Sequence, residues 1–303
     1  MALTDPPYAT LTSMVDLTVA VITDEFSQDF ELVCQTAAEL GVPAIEVRTI
    51  WNKNVVDLSD EEIREVGLIA RAAKLDIICV ASPLYKCTLP DGGDLDDNVQ
   101  QDAFHSVHAF KDQDWVLRRS LEVAGILEAR LVRAFSFWRT REPQKVTDRV
   151  VEALQRAVHM AASQGRAIAL ENEHACNVAT AAESVPVLKA IDHPNFGLVW
   201  DPANAYVADE LPYPDGYRLL PTARVVHVHA KDCSIDLSTG RATWEELGEG
   251  EIDWPGTLTA LAADGYRGAV SLETHWGGPD GDQFEGSRIC TRALKRLVAA
   301  AVA

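Results

Sequence analysis

The sequence predicts an α/β protein built as a single-domain (β/α)8 TIM barrel, and three features support this prediction. Eight short apolar runs alternate with stretches whose apolar residues recur at helical spacing. The runs are continuously apolar, which indicates strands buried on both faces, as in a parallel sheet. Eight strands, each followed by helical sequence, within 303 residues match the number and order of elements in a (β/α)8 barrel.

The eight predicted strands are short and rich in aliphatic residues. They are LTVAVI (17–22), AIEVR (44–48), DIICVAS (76–82), RLVRAF (130–135), AIALE (167–171), FGLVW (196–200), RVVHVHA (224–230) and GAVSLE (268–273). Helical spacing predicts helices between them, most clearly over 30–38, 63–70 and 151–161. Several of these helices end at a glycine shortly before the next strand, as in ELGVPAIEV and ASQGRAIAL, which is typical of a helix-to-strand connection.

The chain shows no composition change that would mark a linker between domains. We therefore expect one domain over 1–303, with the barrel over about 17–300 and an N-terminal extension over 1–16. The first predicted strand is followed by TDEFSQDFE, without the GxGxxG or GxxxxGK[ST] pattern of a dinucleotide or nucleoside triphosphate site. Nucleotide-dependent enzyme classes therefore have little support.

The net charge of −19 narrows the classes of partner. It would repel phosphate backbones and anionic lipid, so we expect neither a nucleic acid nor a membrane as partner, and a neutral substrate fits better.

The N-terminus lacks the pattern of a secretion signal, and the six cysteines form no CxxC pair. Buried, reduced thiols and a cytoplasmic location are therefore expected.

The residues that follow the predicted strands suggest a metal site. In a (β/α)8 barrel the active site lies at the carboxyl ends of the strands. Four successive predicted strands lead there into Glu171 (LENEH), Asp201 (WDPAN), His229 (HVHAKD) and Glu273 (SLETHW). Three carboxylates and one imidazole form a hard, oxygen-rich ligand set, suited to Mn, Mg, Co or a similar divalent ion.

Each of these residues also has a structural explanation when taken alone. Glu171 could be an ion-paired residue at the barrel end, Asp201 before a proline could cap a helix, and either His227 or His229 could be a core histidine. Glu173 shares a strand face with Glu171 and is its rival for the ligand position. The recurrence over four successive strands favours the metal site.

The motifs LENEH, WDPAN, HVHAKD and SLETHW, in that order, resemble those of the xylose isomerase-like TIM-barrel superfamily, over about residues 17–300. This superfamily contains sugar isomerases, epimerases and inosose dehydratases. The resemblance implies that Glu171, Asp201, His229 and Glu273 bind the metal. It also implies that Glu171 and Glu273 move protons, and Lys231 is a further catalytic candidate.

The sequence departs from one branch of that superfamily. The related ketose 3-epimerases usually carry a histidine three residues after the metal aspartate and an arginine six residues after the metal histidine. Here these positions are Asn204 and Ile235. The HxHxKD pattern, with Lys231 and Asp232, is closer to that of the inosose dehydratases.

The resemblance and general chemistry together imply a reaction class. A divalent ion that chelates a carbonyl and its neighbouring hydroxyl acidifies the C–H between them, so that a carboxylate can remove the proton. We expect a divalent-metal-dependent isomerase or epimerase of an unphosphorylated sugar, keto-sugar or cyclitol, acting through a metal-bound enediolate, with Mn as the metal and Mg, Co or Zn as alternatives. Other hypotheses are a lyase with the same enolate chemistry, either an inosose-type dehydratase or a 3-oxo-glycoside- or C-glycoside-cleaving enzyme, and a non-catalytic sugar-binding barrel.

The candidate substrate-binding residues lie next to the predicted ligands or at the ends of other strands. They are Arg48, Trp51, Lys86, Arg133, His174, Asn204, His227 and Trp276. Structural alternatives are core packing for the tryptophans, an ion pair with Glu46 for Arg48, and one with Asp232 for Lys231.

The long segment 83–101, which follows the third predicted strand, is expected to be a lid or a partner surface. We expect a homo-oligomer, and a small partner subunit is an alternative.

Overall fold

A computed structural model describes residues 17–102 and 105–303, so the expected N-terminal extension lies outside the described residues. The strands are β1 (Thr18–Ile22), β2 (Ala44–Val47), β3 (Thr49–Ile50), β4 (Lys53–Asn54), β5 (Asp76–Leu84), β6 (Leu131–Ala134), β7 (Ala167–Glu171), β8 (Phe196–Trp200), β9 (Val225–Ala230), β10 (Asp232–Asp236), β11 (Arg241–Glu245) and β12 (Ala269–Leu272). Eight of them close a parallel barrel in the order β1-β12-β9-β8-β7-β6-β5-β2. The predicted (β/α)8 fold and all eight predicted strands are therefore confirmed.

Helices cover the outside of the barrel. They are α1 (Phe30–Glu39), α2 (Asp60–Ala72), α3 (Gln113–Leu127), α4 (Thr147–Ser163), α5 (Ala181–Ala190), α6 (Pro202–Val207), α7 (Tyr217–Leu219), α8 (Trp254–Ala263) and α9 (Gln283–Ala301). Local sequence explains where several begin: Ser59 and Glu62 form a reciprocal capping box at the start of α2, and Asp29 caps α1. Among the described residues, no helix has the length and apolar character needed to span a membrane.

Burial of the barrel strands explains their continuous apolar sequences. Every residue of β2, β6, β7, β8, β9 and β12 is buried, with the helices on one face and the barrel interior on the other. All six cysteines are buried and free of disulfide bonds, as expected. The charged side chains inside this apolar shell therefore need partners within the barrel.

Two features outside the regular β/α pattern shape the carboxyl end of the barrel. The hairpin β10–β11 follows β9 directly. Strand β5 continues to Leu84, which pairs with Ala134, so the long connection begins two residues later than expected. Lys86 and Leu89 in its first part are buried, and Leu95 forms an isolated bridge with Thr140. The connection is therefore packed against the barrel at several points.

Gly197 in β8 provides a test of the barrel packing. A Cβ atom at this position would lie 2.3 Å from Val226 Cγ1 and 2.8 Å from the carbonyl oxygen of Arg224. Because backbone cannot move aside, we expect Gly197→Ala to lower the free energy of unfolding by about 1–3 kcal/mol. The control is Gly125→Ala in α3, where a Cβ meets nothing within 4 Å and where alanine should stabilise by up to about 1 kcal/mol. Equal denaturation midpoints for the two variants would contradict this packing.

Candidate active site

The carboxyl ends of β7, β8, β9 and β12 bring together the four residues that the sequence analysis assigned to the metal. Donor atoms of Glu171, Asp201, His229 and Glu273 all lie within 4.8 Å of one another. All four residues are buried, and none is more than 2% exposed. The parallel register explains the convergence, because Glu171 ends β7, Asp201 and Glu273 directly follow β8 and β12, and His229 is the penultimate residue of β9.

The atoms of this cluster fit a divalent cation. His229 Nδ1 lies 3.3 Å from Glu171 Oε1 and 3.4 Å from Glu273 Oε2. Glu171 Oε2 and Asp201 Oδ2 are buried and accept no hydrogen bond of regular geometry within the described residues. Buried acceptors without regular hydrogen bonds are costly unless a cation lies nearby, and oxygen ligands with one imidazole suit Mg, Mn, Co or Zn.

Three cationic side chains neutralise much of the negative charge around this cluster. Lys231 Nζ lies 2.8 Å from Asp201 Oδ2 and 2.8 Å from Glu273 Oε2. Arg48 Nη1 donates to Glu273 Oε1 at 2.7 Å, and Arg133 Nη1 lies 3.1 Å from Glu171 Oε2. All three are buried, so these ion pairs are poorly screened by solvent. They permit several carboxylates to be buried at one end of the barrel.

The contacts of Asp201 and Lys231 bear on their structural alternatives, which are a helix cap for Asp201 and an ion pair with Asp232 for Lys231. Asp201 Oδ1 accepts the backbone N–H of Asn204 and caps α6, while Oδ2 faces the cluster, so the cap and a ligand role are compatible. Lys231 pairs with Asp201 and Glu273 and not with Asp232, whose carboxylate accepts backbone N–H groups of the chain that follows it. Arg48 pairs with Asp24 and Glu25 in addition to Glu273.

A cavity of about 240 Å³ adjoins the cluster at the carboxyl end of the barrel. It is lined by Lys86, Gln100, Asp102, Glu173, His174, Ala175, Lys231, Trp244 and His275. Gln100 lies at the end of segment 83–101 and Asp102 directly follows it, so the connection after β5 forms part of the cavity wall. Its role as a lid remains a prediction.

Glu173 and His174 form a polar pair in the cavity wall. Glu173 Oε2 lies 3.2 Å from Lys86 Nζ, and its Oε1 lies 2.9 Å from His174 Nδ1. His174 Nδ1 also lies 2.9 Å from Asn204 Oδ1, and Asn204 donates to Glu171 Oε1 at 3.3 Å. Glu173, the rival for the ligand position, therefore pairs with two cavity residues. It belongs to none of the candidate metal groups found among the described residues.

Three other predicted substrate-binding residues are not among the described residues that line this cavity. His227 contacts Glu46 in the barrel interior and lines a different cavity, of about 360 Å³, with the amino-terminal parts of β5, β6, β9 and β12. Trp51 lies in the turn between β3 and β4, and Trp276 packs against the core near α9. Neither tryptophan is among the described residues that line the cavity at the carboxyl end, so their substrate contacts remain predictions.

Sequence reasoning missed Trp244 and gave Glu46 and Glu25 no role at the site. Trp244 reaches the cavity from the hairpin β10–β11, where its ring lies 5.4 Å from Lys231 Nζ and 5.2 Å from the ring of His275. No local signal in this hairpin marks the contact. Glu46 did carry a signal, because an acidic residue within a continuously apolar strand points to a buried polar partner.

The charges of the cluster shift the protonation of its members. Burial raises the pKa of Asp201 to about 6, although Lys231 opposes this shift. For His229, burial alone would lower the pKa, but Glu46, Glu171 and Glu273 hold it well above its usual range. Burial would likewise raise the pKa of Glu273, but Lys231 and His229 hold it well below its usual range.

Comparisons with known proteins agree with this architecture. A sequence model described as "xylose isomerase-like TIM barrel" matches residues 34–294. A xylose isomerase domain protein from Alicyclobacillus acidocaldarius is 20% identical, with a TM-score of 0.71 over 95% of this chain and 100% of its own. The IolI protein with a bound zinc atom is 17% identical, with a TM-score of 0.72 over 93% of this chain and 98% of its own.

A D-psicose 3-epimerase, crystallised in the presence of D-fructose, is 16% identical, with a TM-score of 0.67 over 95% of this chain and 100% of its own. At these identities the structural likenesses show the fold. No curated protein matches the chain significantly.

The protonation of Asp201 and His229 predicts how metal affinity depends on pH. A divalent ion must displace the proton of His229, whose pKa is raised, and below about pH 6 also that of Asp201. Affinity should therefore rise with pH, and more steeply below about pH 6, where Asp201 is protonated as well. Calorimetric titration of chelator-treated protein with Mn at pH 5 to 7.5 measures this slope. An affinity that does not change over this range would contradict it.

Proposed function

We propose a function for this chain from the premise that it belongs to the xylose isomerase-like TIM barrel family: it is a divalent-metal-dependent isomerase or epimerase of a sugar or cyclitol. The observation that carries this proposal is the buried cluster of three carboxylates and one imidazole beside a polar cavity of about 240 Å³. The volume and polar lining suit a small polyhydroxylated substrate, and the epimerase and zinc-binding relatives have the same fold.

The four residues of the cluster supply what proton abstraction next to a carbonyl requires. Glu171, Asp201, His229 and Glu273 would hold the cation, which supplies Lewis-acid stabilisation of negative charge on the substrate oxygens. Lys231 lines the cavity and lies next to the cluster, so its ammonium group can neutralise the same charge. A carboxylate beside the substrate carbon then has to accept the proton.

The contacts of the two glutamates favour Glu171 as this base. Glu273 receives Arg48 at 2.7 Å and Lys231 at 2.8 Å, so protonating it would weaken two buried ion pairs. Glu171 has Arg133 at 3.1 Å, and its Oε2 accepts no hydrogen bond of regular geometry. Glu171 can therefore take up a proton with less loss of pairing.

A lyase is the second candidate, because His174 provides a proton donor for a leaving group. Burial would lower the pKa of His174, but Glu173 raises it above its usual value, so the imidazolium form persists nearer to neutral pH. Glu173 and Asn204 both contact Nδ1, which directs the opposite edge of the ring away from them. A protonated imidazole in the cavity wall can assist the departure of a hydroxyl group or an aglycone.

Product mass in D2O distinguishes the two reactions. We expect keto-sugars or keto-inositols, incubated with the Mn-loaded protein, to gain deuterium at the carbon next to the carbonyl without losing water. Chelator-treated protein is the control and should give no exchange. Loss of water or an aglycone would favour the lyase, and exchange that persists after chelation would contradict the metal-dependent mechanism.

Matched variants of the two glutamates test the identity of the base. Glu171→Gln should lower kcat by about 10²- to 10⁴-fold, since it removes the base while keeping an oxygen ligand. Glu273→Gln should instead lower the melting temperature and the metal affinity, because Arg48 and Lys231 lose a charged partner. Turnover, melting temperature and metal affinity are measured for both variants. If Glu171→Gln still exchanges substrate protons at the parental rate, Glu171 is not the base.

A further inference from the structure

Behind the candidate metal cluster, a buried carboxylate contacts two histidines of β9. Glu46 in β2 is fully buried, and its Oε1 lies 2.6 Å from His227 Nε2. The same oxygen lies 3.3 Å from His229 Nε2, and Oε2 lies 3.5 Å from that nitrogen. His227 and His229 are two residues apart on one strand, so their side chains point into the barrel on the same face.

This arrangement determines which nitrogen of His229 is available to a cation. An ionised carboxylate can only accept hydrogen bonds, so both histidines must donate to Glu46 through Nε2–H. In the neutral ring of His229 this leaves the lone pair on Nδ1. That nitrogen lies 3.3 Å from Glu171 Oε1 and 3.4 Å from Glu273 Oε2, where the cation would be bound.

We propose that Glu46 is a positioning residue, which holds His229 in the tautomer and orientation that bind the metal ion, and that His227 holds Glu46 in turn. This inference rests on the metal site of the proposed function. Histidine ligands in metal sites commonly donate their second N–H to a carboxylate, which fixes the ring and increases its basicity as a ligand. His227 thereby acquires a role: it holds Glu46, which contacts His229 on the side of its ring that faces away from the metal cluster.

The burial of Glu46 supports this assignment. A carboxylate in the barrel interior is costly to desolvate, and an apolar residue would serve the packing of β2 better. Among the described residues, Glu46 contacts the two histidines and lies opposite Cys79 on the neighbouring strand β5. The buried charge of Glu46 is therefore explained by its role as the acceptor for the Nε2–H groups of His227 and His229.

A second metal site made of Glu46, His227 and His229 is the alternative use of these residues, since their donor atoms also lie close together. The distance of 2.6 Å between Glu46 Oε1 and His227 Nε2 is typical of a strong hydrogen bond. Two ligands on one ion at 2.0–2.2 Å from each donor lie about 3 Å or more apart. The geometry therefore favours hydrogen bonding.

The test is a titration of chelator-treated protein with Co(II), followed by calorimetry and by visible absorption. Glu46→Gln keeps the shape of the side chain, but its amide group can donate to His229 Nε2 and so permits the proton to move to Nδ1. We expect about 10- to 100-fold weaker Co(II) binding and an altered absorption spectrum. Glu46→Asp keeps the charge but withdraws it from His229, so it should also weaken Co(II) binding. It replaces the glutamine variant in the test if that variant does not fold.

Asp232→Asn is the matched control, because Asp232 is equally buried but accepts backbone N–H groups. It should lower the melting temperature and leave the Co(II) affinity and spectrum unchanged. Parental affinity and spectrum in a folded Glu46 variant would overturn the inference, as would two Co(II) ions per parent chain with the second lost on substitution of Glu46. If the parent protein binds no Co(II), the proposed function itself fails.

Discussion

The burial of negative charge at one end of an apolar barrel is the constraint on which the candidate site depends. Glu171, Asp201 and Glu273 are almost fully buried, and isolated carboxylates in such surroundings would be too costly to keep ionised. Arg48, Arg133 and Lys231 offset part of this cost, but they approach the cluster from its edges. At the centre, His229 Nδ1 faces two of these carboxylates, and the cation of the proposed function would be bound there.

The fold separates the residues that set the chemistry from those that set the shape of the cavity. The ligand candidates stand at the ends of barrel strands, whose positions are fixed by hydrogen bonding to two neighbours. The cavity wall comes instead from connections: Gln100 and Asp102 from the segment after β5, and Trp244 from the hairpin β10–β11. Connections tolerate sequence change better than barrel strands, so the cavity wall can change while the four ligand candidates persist.

The same separation explains how much of the protein could be predicted from its sequence. The strands and the four cluster residues were predictable, because strand register places every strand-end residue at one end of the barrel. Trp244 was not, since a hairpin reaches the cavity through tertiary packing that leaves no periodic pattern. Trp51 and Trp276 were chosen by their distance from strand ends, but neither is among the described residues that line the cavity, and both pack against the core. Proximity to a strand end along the sequence therefore predicts a site residue well within the strand and poorly in the connection that follows it.

The unequal ion pairing of Glu171 and Glu273 bears on whether the proposed reaction is an epimerisation, an isomerisation or an elimination. An epimerase that reprotonates the opposite face of a carbon needs two groups that exchange protons, one on each side of the substrate. Glu273 pairs with both Arg48 and Lys231, whereas Glu171 Oε2 accepts no hydrogen bond of regular geometry among the described residues, so the proposed mechanism assigns proton transfer to Glu171 alone. A single base returns the proton to the same face, either at the neighbouring carbon, which gives isomerisation, or after loss of a leaving group. The proposed mechanism thus favours isomerisation or elimination over 3-epimerisation, in agreement with Asn204 and Ile235 at positions where ketose 3-epimerases usually carry histidine and arginine.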